Sequence, residues 1–165
     1  MLISRTSNHI CGLVDLKPLY DGILVLRLET LLSIKRVLVL EDNFIIAMEA
    51  EDILRTLGVE TVDIATNVAQ AKQLVDEHAF DFALLDVNLG SETSFDFANI
   101  LVSRDTPFGF VSGYGESAMF PGSHRDRPRI TKPFNETSMS QLLASVSGVA
   151  DAGEAPAEAS SKALR

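Results

Sequence analysis

The chain has 165 residues, enough for one domain of ordinary size, and 46% hydrophobic residues with no Trp point to an aliphatic core. A net charge of -9 argues against direct nucleic-acid binding, which uses a basic patch, and a single cysteine, Cys11, excludes an internal disulfide. No apolar run approaches the ~20 residues of a membrane span.

The longest candidate span, 23–32, is broken by Arg27 and Glu29. The short apolar stretch at 10–14 is interrupted by Asp15, Lys17 and Pro18, which is not the pattern of a signal peptide, so a cytoplasmic protein with no membrane insertion is expected. Residues 1–34 show no chemistry. Asp21-Gly22 suits a turn and 23–34 suits a strand or a short amphipathic helix, so this stretch is expected to be an extension of the domain.

From Lys35 onward the pattern is regular. The all-apolar run VLVL at 37–40 suits a buried parallel strand. Residues 43–57 carry apolar side chains at helical spacing, with Gly58 as the stop. A strand is predicted at 61–65, and a helix after it capped by Asn67. The run FDFALLDV predicts a strand over 80–87; a polar loop then leads to a helix over 95–101. A fourth strand is expected at 107–112. Residues 113–128, rich in Gly, Pro and charge, leave room for at most a short helix. A short strand at 129–132 and a helix over 136–146 complete a (βα)5 unit over 35–147. The expected fold is α/β, a flavodoxin-like doubly wound parallel sheet with strand order 2-1-3-4-5. The tail, 148–165, lacks apolar residues and is expected to be disordered.

The residues that carry chemistry fall at the ends of predicted strands: Glu41 and Asp42, then Asp86, then Ser112, then Lys132-Pro133. Successive parallel strands bring these ends to one rim, where open α/β sheets bind ligands. Two like charges ~4 Å apart repel by about 4 kcal/mol at an effective dielectric near 20, so clustered carboxylates take up protons or a cation. Oxygen ligands suit Mg²⁺, and the backbone carbonyl of Asn88 is a further candidate ligand. The alternative is that Glu41 and Asp42 only cap the next helix. Asp86 is the candidate nucleophile toward phosphorus, with Lys132 and Ser112 placed to neutralise and hydrogen-bond the transferred oxygens. Taken singly, Lys132 also reads as a solvated lysine and Ser112 as a turn residue. Pro133 suits a cis peptide, with trans as the alternative.

These residues carry a resemblance. VLVLEDN at 37–43, LLDVNL at 84–89, FVSGY at 110–114 and TKPF at 131–134, with Asp86 44 positions after Asp42, resemble the receiver domain of two-component response regulators. The resemblance implies that Asp86 is the phosphoacceptor, that Glu41, Asp42, Asp86 and the Asn88 carbonyl hold Mg²⁺, that Ser112 is the switch hydroxyl and that Lys132 contacts the phosphoryl group. It implies a sensor histidine kinase or phosphotransfer protein as donor, a downstream protein as target, and a signalling phosphoacceptor that promotes its own phosphorylation and dephosphorylation rather than an enzyme. PFGFVSGY at 107–114 is similar to a variant group with a Phe-Ala-Thr-Gly-Tyr-like fourth strand.

Two departures follow. Arg129 stands three residues before the lysine, where many receivers carry an aromatic switch, and Tyr114 is the candidate to share that role. Phosphorylation is expected to order residues 113–128, and Arg125, Arg127 and Arg129 either meet an acidic partner or form a solvated charge run. Length suggests a stand-alone receiver that signals by contact or serves as relay or phosphate sink. The alternative function is an Mg²⁺-dependent phosphatase of haloacid-dehalogenase-like type with an aspartyl nucleophile. Against it, Asn88 stands where such enzymes carry a second Asp.

Overall fold

Buried strands with apolar residues on both faces need a cover on each side, and the chain supplies it by alternating strand and helix. The computed structural model describes residues 34–113 and 120–146. The order is β1 (Arg36–Leu40), α1 (Phe44–Thr56), β2 (Thr61–Ala65), α2 (Val68–Glu77), β3 (Phe82–Asp86), α3 (Phe95–Ser103), β4 (Phe108–Ser112), a 3-10 turn (Gly122–His124), β5 (Arg129–Thr131) and α4 (Glu136–Val146). All five strands are parallel in the order β2-β1-β3-β4-β5. This is the flavodoxin-like sheet expected from the sequence. The expected extensions, apart from Ile34, lie outside the described residues.

Side-chain alternation sorts the core into two layers. Leu38, Leu40, Leu85 and Phe110 pack with Val68 and Ala71 of α2 and with Phe97 and Leu101 of α3. Val37, Val39, Leu84 and Val111 face the other way, against Ala47 and Leu54 of α1 and Met139, Leu142 and Leu143 of α4. This is why 37–40 is apolar throughout.

Local chemistry sets the helix ends. Asn43 Oδ1 accepts from Ile45 N and Ile46 N at the start of α1, Asn67 Oδ1 accepts from Gln70 N in α2, and Asn135 Oδ1 accepts from Ser138 N in α4. At the end of α1, Gly58 takes φ +97°, and the bonds Val59 N to Leu54 O and Gly58 N to Arg55 O close a Schellman turn. Gly109 has a packing role. A Cβ there would lie 2.8 Å from Leu142 Cδ1, so the missing side chain at 109 leaves the space that Leu142 of α4 fills against β4. The third strand begins two residues later than expected. Asp81 instead turns its carboxylate to the backbone N–H groups of Lys35 and Arg36, both at 2.8 Å. Among the described residues of 113–128, the 3-10 turn is the only regular element, in line with the expected shortage of helix there.

Candidate functional site at the carboxyl rim of the sheet

Strand parity decides which side chains meet at the rim. Residues 37, 39 and 41 share a face, as do 82, 84 and 86 on β3 and 130 and 132 on β5. Val39, Leu84 and Ile130 belong to the layer beneath α1 and α4, so Glu41, Asp86 and Lys132 emerge together on that side. Ladder bonds extend one residue past the strands and hold them there: Glu41 N donates to Ala65 O at 3.0 Å and Lys132 N to Ser112 O at 2.9 Å.

Lys132 Nζ lies 2.7 Å from Glu41 Oε2 and 2.9 Å from Asp86 Oδ2. Both carboxylates are buried and Lys132 is half-buried. Asp42 is exposed, and one oxygen from each of Glu41, Asp42 and Asp86 lies within 4.8 Å of the others. At that spacing each pair of carboxylates repels by roughly 3 kcal/mol at an effective dielectric of ~20. Three carboxylates against one ammonium leave a formal -2, which a divalent cation cancels. The donor set, all hard oxygen and open to water on the Asp42 side, suits Mg²⁺.

The electrostatics agree. Burial pushes the Glu41 carboxyl above its usual range; the Lys132 hydrogen bond pulls it back and the Asp86 charge adds to the rise. Lys132 experiences the opposite contest. Burial opposes its charge, but hydrogen bonds to Glu41 and Asp86 outweigh this and raise its pKa.

Helix capping does not account for the acidic pair. Asn43 performs the capping, and Glu41 Oε1 accepts from Asn43 N at 3.2 Å while its other oxygen meets Lys132. Asn88 is exposed on the loop after β3, where it forms an isolated bridge with Thr93 and its side chain accepts from Gly90 N. Gly90 has φ +75°, and a Cβ there would come within 3.4 Å of Asp42 Oδ2, so this loop lies against the acidic cluster. The peptide Lys132-Pro133 is cis.

Ser112 is buried at the end of β4, in register with Thr131. Its parity is that of Phe108 and Phe110, so it leaves the strand on the α2/α3 side. Arg129 lies across Phe120, 4.3 Å from guanidinium carbon to ring centroid, and Arg127 lies across Phe108 at 4.9 Å. These two are thus stacked cations rather than a freely solvated run. Tyr114 lies outside the described residues. Sequence reading missed both stacks, and it missed the exposed apolar face of α1 beside the cluster, where Phe44, Ile45 and Met48 stand in water. A surplus of apolar residues over those a one-sided helix can bury was the available signal.

Comparison with known proteins agrees with the fold. The sensory transduction protein LytT of Bacillus anthracis is 30% identical over 111 residues, which are 66% of this chain and 45% of that protein. The chain thus spans less than half the length of this curated relative. The solution structure of SdrG from Sphingomonas melonis Fr1 is 36% identical with a TM-score of 0.62, covering 68% of this chain and 96% of that one. The receiver domain of the Erythrobacter litoralis response regulator PhyR is 25% identical with a TM-score of 0.60, covering 73% and 95%. LytT is named a sensory transduction protein and PhyR a response regulator, which favours the signalling reading of the two weighed from the sequence. Residues 37–144 match the response regulator receiver domain, and with the acidic cluster and lysine at the rim of a 2-1-3-4-5 sheet, the chain belongs to that family of two-component signalling domains.

Proposed function

We propose that Asp86 accepts a phosphoryl group from a histidine kinase or phosphotransfer protein, in a reaction that depends on Mg²⁺ held by Glu41, Asp42, Asp86 and the Asn88 carbonyl. The observation that carries this is the lysine between two buried carboxylates, with a third carboxylate opening the cluster to water. A carboxylate oxygen of Asp86 bonds to phosphorus as the donor's P–N bond breaks, and the imidazole nitrogen keeps the electron pair. Lys132, already at Asp86, meets the charge of the transferred oxygens. A bound Mg²⁺ supplies neutralisation of the same oxygens. Incubating the protein with a small phosphodonor and Mg²⁺ should add the mass of one phosphoryl group; Asp86→Ala should add none. An equal gain in both proteins would remove Asp86 from this role.

The donor docks, on this reading, against α1. Phosphorus must reach bonding distance of Asp86, and the first apolar surface beside that point is Phe44, Ile45 and Met48, with Ile45 78% exposed. Ile45→Glu combined with Met48→Glu should slow transfer from a phosphohistidine protein by at least ~10-fold, the scale of losing about 1.4 kcal/mol of contact, while leaving the small phosphodonor rate unchanged. Equal slowing with both donors would argue against a docking role.

Ser112, Arg129 and Tyr114 form the proposed switch, with the signal leaving through residues 113–128, β5 and α4 toward a downstream protein. Added charge at Asp86 draws Ser112 and shifts the residues stacked beside it. Amide exchange over 120–128 that is identical with and without the phosphoryl group would refute this.

A further inference from the structure

His124 is a buried titratable group that the rim chemistry leaves unused. It ends the 3-10 turn and is 1% exposed. Phenylalanines enclose it: Phe95 of α3 stacks on the ring at 6.0 Å between centroids, while Phe108 and Phe110 of β4 present edges at 6.2 and 5.8 Å. Neither ring nitrogen has a hydrogen-bond partner among the described residues. Buried polar groups are almost always paired, so this one marks a place where the fold is held at a cost. The cage continues to Phe120, 5.2 Å from Phe110 and 5.4 Å from Phe95.

The neutral ring suits this site and the charged ring does not. An imidazolium would sit among hydrocarbon with only the Phe95 backbone to favour its charge, and that and the attraction of phenylalanine faces are smaller effects than desolvation by burial. The surrounding charges are mostly unfavourable to it. β4 contributes none. Among the described residues the connection contributes Arg125, Asp126 and Arg127, β5 contributes Arg129, and α3 contributes only Asp96, exposed beside Phe95. Burial, with the Arg127 charge acting in the same direction, holds the imidazole below its usual range, and the Phe95 backbone opposes this to a smaller extent.

We propose that His124 makes the packing of residues 120–128 over Phe110 conditional on a neutral imidazole, so that mild acid releases these residues from the sheet. The linkage has a definite sign. The closed form binds its proton less tightly than the open form, so closure is fully supported above the ordinary value of 6.5 and weakens as pH falls from there through the lowered value. Phe110 lies two residues from Ser112 on the same strand face, so opening removes packing beside the proposed switch hydroxyl. That last link rests on the receiver reading; the proton-dependent opening does not.

The test uses the full chain. The imidazole resonances of His9, His78 and His124 are followed by NMR with pH, together with amide protection over 120–128 and over β1. His124 should titrate below the ordinary histidine value of 6.5. Protection over 120–128 should fall as pH drops from 6.5 through the lowered value, by ~10-fold for each unit separating the closed and open values, while β1 stays constant. His124→Phe fills the cage and should flatten this pH dependence, and His124→Gln, polar but without a proton to gain, should flatten it too if the phenylalanine variant fails to fold. A His124 that titrates at or above 6.5, or a glutamine variant that opens with the wild-type pH slope, overturns the proposal. Phosphoryl uptake on Asp86 at pH 7.5 should persist in both variants; its absence from the wild type would sink the receiver chemistry and leave the imidazole result standing.

Discussion

Lys132→Ala should lower stability at neutral pH by about 3 kcal/mol, the lower end of the range for breaking a buried ion pair, because the lysine side chain retains 22% exposure. Its ammonium lies between Glu41 and Asp86, and without it two buried carboxylates face each other and Asp42 with no cation. The sign with pH follows from the shifts. Lys132 is raised above its ordinary 10.5, so its contribution is complete below that value and is lost as pH climbs through the raised one. Glu41 is raised above 4.5, so its protonated form favours the fold at low pH, and that contribution disappears as pH rises through the raised value. The alanine variant should therefore lose less against wild type in acid, where its carboxylates carry protons, than at neutrality. Urea unfolding of both proteins at the two pH values gives the comparison, and an equal loss at each would contradict the electrostatic origin. Mg²⁺ should restore part of the deficit at neutral pH.

Asp42→Asn should weaken Mg²⁺ binding by ~30-fold, the equivalent of about 2 kcal/mol for removing one unit charge ~4 Å from a divalent ion in water. The water-like dielectric is appropriate because Asp42 is the exposed member of the cluster. Its loss should barely change the stability of the metal-free protein, since no buried partner is orphaned and mutual repulsion falls. Calorimetric titration with Mg²⁺ measures the first quantity and thermal unfolding the second; unchanged Mg²⁺ affinity would dismiss Asp42 as a ligand. Binding in the wild type should also strengthen as pH rises above 4.5 through the raised Glu41 value, because the ion displaces a proton there.

The sheet was legible because its strands are buried on both faces, which leaves apolar runs that stand out against amphipathic helices. Strand ends were less so. The run at 80–87 is apolar from Phe80 onward, and only the capture of two backbone N–H groups by Asp81 delays the ladder to Phe82. The rim residues were found because their chemistry is rare at strand ends, and period-two counting from 84 and 110 would have added that Asp86 and Ser112 leave opposite faces. The aromatic side was hidden. HRDRPR at 124–129 reads as surface, yet His124 is enclosed, and Arg127 and Arg129 stack on rings 19 and 9 residues distant in the chain. Pairings that distant have no local period to reveal them.

The Gly109–Leu142 contact gives the sheet a stiff side and a yielding side. A Cβ at position 109 would collide with the Leu142 side chain, so the bare backbone of β4 packs directly against that side chain of α4. On the opposite surface β4 meets edge-to-face rings, whose contacts survive a tilt or a small slide. A tug delivered at the tip of this strand therefore meets a close-packed helix side chain behind it and sliding ring contacts in front.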